Sequence, residues 1–317
     1  MPELPEVETI RGGLEKKIVG LTIKKVDICA PKSFIGKAQE VQGKKVIKVW
    51  RRAKMLGIDL TTGPAGGSSR PMSSLNAAGT RRDSLRPRHP SLALLFHLKM
   101  TGQLVLDDRK WKVEGGRMVG GHPTPDMRDA MPNSHTRVVF SFSDGSRLYF
   151  NDQRRFGWVK VVQSSELGVQ GLFEKLGPEP LEKEFTWQIL KQNLLKHKST
   201  PIKSGLMDQQ VVSGVGNIYA NEACFNARID PRARSLELSN AQFKKLHQGV
   251  VKALRDGIKH GGSTRAHFVD SEGHRGYFLD YAYVYGRDEH PCKICQTEIK
   301  KVTLGGRGTY FCPACQR

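Results

Sequence analysis

The sequence predicts an α+β chain of several domains: a leading helix and a β-sandwich, then a helical half, then a short metal-binding hairpin. Three observations carry this. Helical apolar spacing in the first twenty residues gives way to many short period-two runs that continue to about residue 163. From residue 164 the period returns to 3.6. Four of the six cysteines fall within the last 26 residues. A chain of 317 residues is longer than one core usually fills, and 38% apolar residues suffice to pack real cores.

The leading helix starts at Pro5-Glu6-Val7-Glu8, where proline suits the first turn and acids complement the helix dipole. Val7, Ile10, Leu14 and Ile18 share one face. Strands are expected at 22–28, 45–50, 55–60, 92–98, 103–106, 137–142, 147–150 and 159–162, and Ser143-Asp144-Gly145-Ser146 reads as a hairpin turn. Many short strands behind one helix make a sandwich or barrel. Two inserted loops interrupt them. In residues 63–90, 13 of 28 residues are Gly, Pro or Ser and five are Arg, a composition without core-forming periodicity. Residues 109–133 are similar. A linker at 164–180 leads to helices at 187–196, 201–209 and 217–226. A longer helix follows, capped by Ser239 with Gln242 in the capping-box position; Phe243, Leu246, Val250, Leu254 and Ile258 form its stripe.

Charge narrows the function. Fifty-one Lys and Arg against 31 Asp and Glu give +20, which points to a polyanion such as nucleic acid, with an ordinary basic surface as the alternative. No apolar run approaches the roughly 18 to 20 residues of a membrane helix. The first twenty residues carry four glutamates and no apolar block, so no secretory signal is expected. The strongest spacing is Cys292-x2-Cys295, sixteen residues, then Cys312-x2-Cys315, with Gly305-Gly306 as a turn between. Two such knuckles supply four soft ligands for one zinc ion, and because protein fills all four positions the metal would be structural. Two disulfides or free thiols are the alternatives. Cys29 and Cys224 are expected to be small buried residues. Arg307 lies among Lys293, Lys300, Lys301 and Arg317 and suits phosphate contact, or simply a solvated basic face.

Gly214-Val215-Gly216-Asn217 places glycines before a helix start, where exposed N–H groups can hold a phosphate or merely turn a corner. Trimming of Met1 would leave Pro2 as a free secondary amine, far less protonated at pH 7 than a lysine. It could attack a sugar C1′ to form an iminium, with Glu3 and Glu6 at hand for proton transfer. Read alone, the same residues are a chain start followed by a helix cap.

MPELPEVET (1–9), WRRAKML (50–56), HLKMTGQL (97–104), NDQRRFGWV (151–159), LGPEPL (176–181), VSGVGNIYANEACF (212–225), GGSTRAHFVDSEGHRGYF (261–278), VYGRDEHPC (284–292) and the cysteine hairpin resemble the formamidopyrimidine-DNA glycosylases, in that family's order and over nearly the whole chain outside the two insertions. The resemblance implies a β-sandwich catalytic domain over 1–163, a helix-two-turn-helix domain over 181–283 and a zinc finger over 284–317. It implies an enzyme that removes oxidised purines from damaged double-stranded DNA and cuts the strand by β,δ-elimination, carrying one structural Zn2+, acting as a monomer in the cytoplasm on the nucleoid. Pro2 matches the nucleophile, Glu3 the proton donor to the sugar, Glu6 a further acid of that helix, and Lys54 the proton donor for β-elimination. Arg307 matches the residue for δ-elimination and phosphate contact, and Asn217 a second phosphate clamp. Met100, Arg154 and Phe156 match side chains that fill the hole left by the extruded base. Residues 261–278, with Tyr277 near their end, match the segment that covers 8-oxoguanine. His97 matches a histidine near the bent phosphates, with a structural role as the alternative.

Lys99 and Gln153 depart from the family's usual glycine and proline, and 63–90 has no family counterpart. Related or distant alternatives are an endonuclease VIII type acting on oxidised pyrimidines, a non-catalytic zinc-dependent DNA-binding protein, and an RNA-binding zinc protein. Leu4 argues against the first, intact Pro2, Glu3 and Lys54 against the second, and the want of an aromatic stacking platform against the third.

Overall fold

The computed structural model describes residues 1–61, 92–107, 117–121, 131–167, 171–263 and 277–317. The expected insertion at 63–90 lies outside them, as do residues 264–276.

Helix α1 (Leu4–Ile18) begins at Glu3, whose N–H donates to Glu6 Oε2 at 2.8 Å, and ends in Lys16 and Lys17, which suit its negative end. Two five-stranded sheets follow. One runs β1 (Ile23–Ile28), β8 (Thr136–Phe142), β9 (Arg147–Asp152), β6 (Gly102–Asp107), β7 (Arg117–Gly121). The other runs β2 (Phe34–Ile35), β10 (Trp158–Gln163), β5 (Leu92–His97), β4 (Met55–Leu60), β3 (Val46–Arg52). All neighbours are antiparallel except β2 and β10. Alternate residues such as Leu94, Phe96, Leu104, Leu106, Phe140 and Phe150 point between the sheets and form one core.

The helical half has its own core. Helices α3 (Trp187–Leu195), α4 (Ile202–Met207), α5 (Asn217–Ala227) and α6 (Asn240–Lys259) bury Leu190, Ile202, Leu206, Tyr219, Phe243, Leu246 and Leu254 together. Short α7 (Phe278–Tyr281) adds Phe278 to this core. Strands β11 (Lys300–Leu304) and β12 (Arg307–Phe311) make the terminal hairpin, which packs Ile299 and Tyr310 against Phe225 of α5.

Helix α1 belongs to both halves. Val7, Ile10, Leu14 and Ile18 sit in the sandwich core, whereas Leu4, one turn earlier, is wholly buried in the helical core. The chain start is thereby held in the seam between the two halves. Three local features lie beyond the sequence analysis or differ from it. Residues 31–41, to which the sequence analysis assigned no element, carry β2 and a four-residue helix, α2 (Ala38–Val41). Residues 109–133, also expected as a loop, include strand β7, because the exposed edge of β6 offers a ladder that needs no apolar periodicity in its partner. Helix α4 stops at Met207, where the Asp208 side chain accepts the Gln210 amide and turns the chain.

Candidate active site and DNA-facing surface

The seam gathers the residues that the sequence singled out at the chain start. Pro2, Glu3 and Glu6 are all buried. Glu3 turns its carboxylate onto the start of α5: the Ile218 N–H donates to Oε1 at 2.9 Å and the Tyr219 N–H reaches Oε2 at 3.5 Å. This places a carboxyl group on the positive end of a helix. The close approach requires glycine at 216, since a Cβ there would lie 2.4 Å from Glu3 Cδ. The Leu4 N–H donates to the Gly214 carbonyl at 3.0 Å and fixes the same loop against α1. Glu6 is saturated: Oε1 accepts from Tyr219 Oη (2.7 Å), Ser263 N–H (2.6 Å) and Ser263 Oγ (2.8 Å), while Oε2 caps the helix start.

Burial pushes the Glu3 carboxyl above its ordinary value, against the opposing pull of Lys54, and so favours its protonated form. Burial likewise lowers the amine at the chain start, against the pull of Glu3 and Glu6, with Lys54 and Arg307 lowering it further. Lys54 is itself lowered by burial, more than Glu3 and Glu6 restore. One amine thus feels two acids from its own segment and two cations from two others, the β3–β4 turn and the terminal hairpin.

The turn that carries Lys54 is held by an unanticipated acid. It follows Ala53 in the tight β3–β4 turn, and Ala53 is left-handed with φ +54°. Glu179 of the LGPEPL stretch accepts the Ala53 N–H (2.5 Å), Arg52 Nη1 (2.7 Å) and Arg51 Nη2 (2.8 Å). Arg52 also donates to the Gly177 carbonyl and to Ser213 Oγ, each at 2.7 Å. Burial would raise the Glu179 carboxyl, but Arg51 and these hydrogen bonds outweigh it and hold it low. The turn, the segment 177–179 and the loop before α5 therefore form one polar joint.

Arg307 opens β12 at the tip of the hairpin and is exposed. Helix α5 sets that strand: Asn217 Nδ2 donates to the Gly308 carbonyl at 3.3 Å and Asn221 Oδ1 accepts the Tyr310 N–H at 2.7 Å. Glu222 accepts three consecutive N–H groups, from Tyr283, Val284 and Tyr285, each at 2.9 Å. Cys292, Cys295, Cys312 and Cys315 bring four sulfurs within 4.8 Å of one another. Their separations of 3.4, 3.4 and 4.0 Å bracket the roughly 3.8 Å edge of a tetrahedron with ~2.3 Å zinc–sulfur bonds. The four thiols fit one structural zinc.

The residues matched to hole-filling lie elsewhere, on the rim of the sandwich. Met100 sits in the β5–β6 turn, and Arg154 and Phe156 lie in the loop after β9, exposed, with the guanidinium 4.9 Å over the ring. Thr101 ties the two segments together: its hydroxyl donates to Asp152 and accepts the Arg154 N–H. His97 is half-buried against Trp158, and burial, with Lys99 and Lys54 behind it, pushes it down to about 3. It is neutral, and its Nδ1 accepts the Lys99 N–H at 3.1 Å, which leaves Nε2 as the N–H donor. Lys99 has φ +52°, a left-handed conformation that accounts for the family's usual glycine there. Tyr277 is half-exposed and its backbone bridges to Ser263.

Sequence reasoning missed Glu179, Tyr219, Asn221 and Glu222, although each stands inside a motif that carried the resemblance. It also missed Lys203 on α4, which is wholly buried with Nζ lacking a hydrogen-bond partner and is lowered by burial to about 8. Cys224 is buried as expected, but Cys29 is exposed, since it stands at the end of edge strand β1.

Comparison with known proteins accords with this geometry. Family models match in chain order: the formamidopyrimidine-DNA glycosylase N-terminal domain over residues 1–159, the formamidopyrimidine-DNA glycosylase H2TH domain over 176–269, and the zinc finger found in FPG and IleRS over 289–317. The formamidopyrimidine-DNA glycosylase of Hahella chejuensis is 37% identical, with all of each chain covered. That of Pelotomaculum thermopropionicum is 35% identical over all of this chain and 99% of its own. Among solved structures, a Lactococcus lactis enzyme variant in complex with a Fapy-dG containing DNA matches with a TM-score of 0.78 at 28% identity, covering both chains fully. The same bacterium's enzyme with an abasic site containing DNA matches equally well over 99% of each chain. The chain belongs to the formamidopyrimidine-DNA glycosylase family.

Proposed function

We propose that this DNA glycosylase of base excision repair releases oxidised purines, 8-oxoguanine and formamidopyrimidines, from duplex DNA by attack of the Pro2 amine. The observation that carries the proposal is that buried Pro2, Glu3 and Lys54 share the seam, with the chain-start amine lowered by burial and within electrostatic reach of Glu3, Lys54 and the exposed Arg307 of the hairpin. Burial lowers the Met1 amine of the unprocessed chain; once Met1 is removed, the secondary amine of Pro2, one residue further into the same buried chain start, would meet similar desolvation and keep a neutral fraction at pH 7. Its lone pair forms a bond to C1′. The protonated carboxyl of Glu3 donates to the sugar ring oxygen as the ring opens, and the base departs with the electrons of the glycosidic bond and a proton. The resulting iminium acidifies the C2′ proton. Its loss to a base expels the 3′ phosphate in β-elimination, with Lys54 as the proton-transferring cation, and a second elimination beside Arg307 expels the 5′ phosphate.

A target C1′ is out of reach inside a duplex, so the nucleotide has to be rotated out and the gap filled. Met100, Arg154 and Phe156 stand ready on the exposed rim, tied into one unit by Thr101. Asn217 and Arg307 would hold phosphates on the other side. Kinked duplexes are held by such wedges between clamps. The zinc would hold the hairpin in the shape that carries Arg307. A net charge of +20 favours chromosomal DNA, and all the matched functional groups come from one chain, which supports a monomer acting on the nucleoid in the cytoplasm.

Borohydride trapping tests the reading. Reduction of the iminium should lock the protein onto duplex carrying 8-oxoguanine or an abasic site. Adding one retained residue before Pro2 should abolish trapping while DNA binding persists. If the extended protein traps as well as the native one, another amine reacts, and Lys54 is the first to test. A panel that adds formamidopyrimidine and thymine glycol separates purine from pyrimidine preference.

A further inference from the structure

We propose that Thr101 is a positioning residue for base excision: together with Asp152 it sets where the Arg154 backbone stands, and so where the guanidinium would enter the duplex. The inference rests on the function proposed above, in which Arg154 helps to fill the gap left by an extruded nucleotide.

Arg154 lies in a short exposed span with two buried ends. Gln153, Arg154, Arg155 and Phe156 are exposed, whereas Asp152 and Gly157 on either side are buried. Arg155 has φ +59°, a left-handed conformation that a residue with a side chain keeps only where its surroundings hold it. A long arginine side chain also loses much rotamer freedom on being placed. Fixing the backbone beneath it reduces what remains to be ordered when DNA arrives.

Asp152 supplies the hold. Its own backbone is tied on both sides, since its N–H donates to the His135 carbonyl (2.9 Å) and its carbonyl accepts Arg137 Nε (2.8 Å). Oδ2 accepts the Gly157 N–H at 2.6 Å and so joins the far end of the span to the near one. Glycine is required at 157, because a Cβ there would come within 2.8 Å of the Phe150 ring and 3.1 Å of Oδ2. Oδ1 accepts the proton of the Thr101 hydroxyl. A hydroxyl has one proton to give, so with that proton on Asp152 its lone pairs face the Arg154 N–H, which donates to it at 3.0 Å.

Thr101 hangs from the other segment of the rim. It follows Met100 in the β5–β6 turn, which the Gly102 N–H closes on the Leu98 carbonyl at 2.8 Å. One hydroxyl is therefore the point where the turn carrying Met100 meets the span carrying Arg154. A hydroxyl that only stabilised the sandwich would matter whatever side chain stood at 154. One that aims Arg154 matters only while the guanidinium is there.

The experiment is a double-mutant cycle of Thr101→Val and Arg154→Ala, read as single-turnover excision of 8-oxoguanine opposite cytosine, with melting temperature and DNA affinity recorded. Thr101→Val keeps the shape of the side chain and loses both hydrogen bonds. It should slow excision about tenfold in the wild-type background and less than about twofold in the Arg154→Ala background. Thr101→Ser returns the hydroxyl and should restore the wild-type rate. Equal slowing in both backgrounds, no slowing by Thr101→Val, or a serine variant as slow as the valine one overturns the assignment. If Thr101→Val does not fold, Asp152→Asn, which gives up one of the two accepting oxygens, takes its place in the cycle under the same criteria. Failure of the wild type itself to excise 8-oxoguanine would overturn the proposed function instead. A wild type that excises, with an Arg154→Ala variant just as fast, would overturn the role of Arg154 and this inference with it.

Discussion

Around the start of α1, carboxylates and amines are buried and each carboxylate oxygen is committed to a donor. At the sandwich rim, Arg154 and Phe156 stand in solvent with little but each other to touch. The buried end has shifted titration and fixed geometry before any substrate arrives. The rim has an ordered backbone, through Thr101 and Asp152, but side chains whose partners would come only with DNA. Preorganisation is therefore concentrated where charge would develop, in a site from which water is largely excluded. On the proposed function, the surface that would enter the helix is left free to do so.

The sharpest way to break this contrast is at Glu3. Glu3→Gln keeps a side chain of the same size against the Ile218 N–H but cannot donate a proton as an acid does. If the buried end works by prepared proton transfer, excision should fall by about 10²–10⁴, with much less change in cleavage of a pre-formed abasic site. Single-turnover rates on the two duplexes check this. A comparable loss on both would mean that Glu3 holds α5 in place and transfers no proton. At the rim, Arg154→Ala removes a wedge whose absence leaves an unstacked gap costing a few kcal/mol, which corresponds to a tenfold or larger slowing of excision opposite cytosine. Cleavage at an abasic site should change far less. Equal slowing would make Arg154 a general phosphate contact.

The two regions were also unequally legible in the sequence. The rim and the chain start both belong to contiguous motifs, and the face of Val7, Ile10, Leu14 and Ile18 was readable because helical spacing is a local property. The cysteine spacing was readable for the same reason. What holds Lys54 was not, since Glu179 meets Ala53 across 126 positions of sequence and no local pattern announces that pairing. Tyr219 looked like one aromatic residue on a short helix, and only packing against α1, α6 and α7 gives its hydroxyl a partner. Strand β7 escaped because a Gly-rich stretch gains its order from the edge of β6. Burial at Lys203 was equally invisible, because α4 shows an ordinary pattern of apolar and polar residues.

The hairpin packs on α5, beside the buried end, and gives a smaller effect. Structural zinc contributes folding energy to small metal hairpins, so Cys295→Ser should release the metal and loosen β12 from Asn217 and Asn221. DNA affinity should fall about tenfold as Arg307 loses its fixed place, while the sandwich keeps its fold by circular dichroism. Metal analysis of protein purified without chelator, and a salt titration of binding, check both parts. Unchanged affinity in the metal-free variant would remove Arg307 from the set of phosphate contacts.

The smallest expected effect on the reaction, and the one read in stability, comes from Lys203. Its amine is buried without a hydrogen-bond partner, and burial lowers it from the ordinary lysine value of 10.5 to about 8, with Arg307 also lowering it and Cys224 and Glu3 opposing. A lowered amine means that the unfolded chain binds the proton more tightly than the folded one. Stability of the native protein should therefore rise as pH increases from about 8 to 10.5, and the charged amine should cost stability throughout the range below 8. Lys203→Met keeps the length and removes the charge. It should stabilise the DNA-free protein at pH 7 by on the order of 1 to 3 kcal/mol, and the gain should shrink as pH climbs past 9. Urea denaturation of both proteins at pH 7 and 9.5 measures the difference directly. A stability gap that does not narrow with pH would mean that Lys203 is paired in solution and that the buried end carries no unpaired cation there.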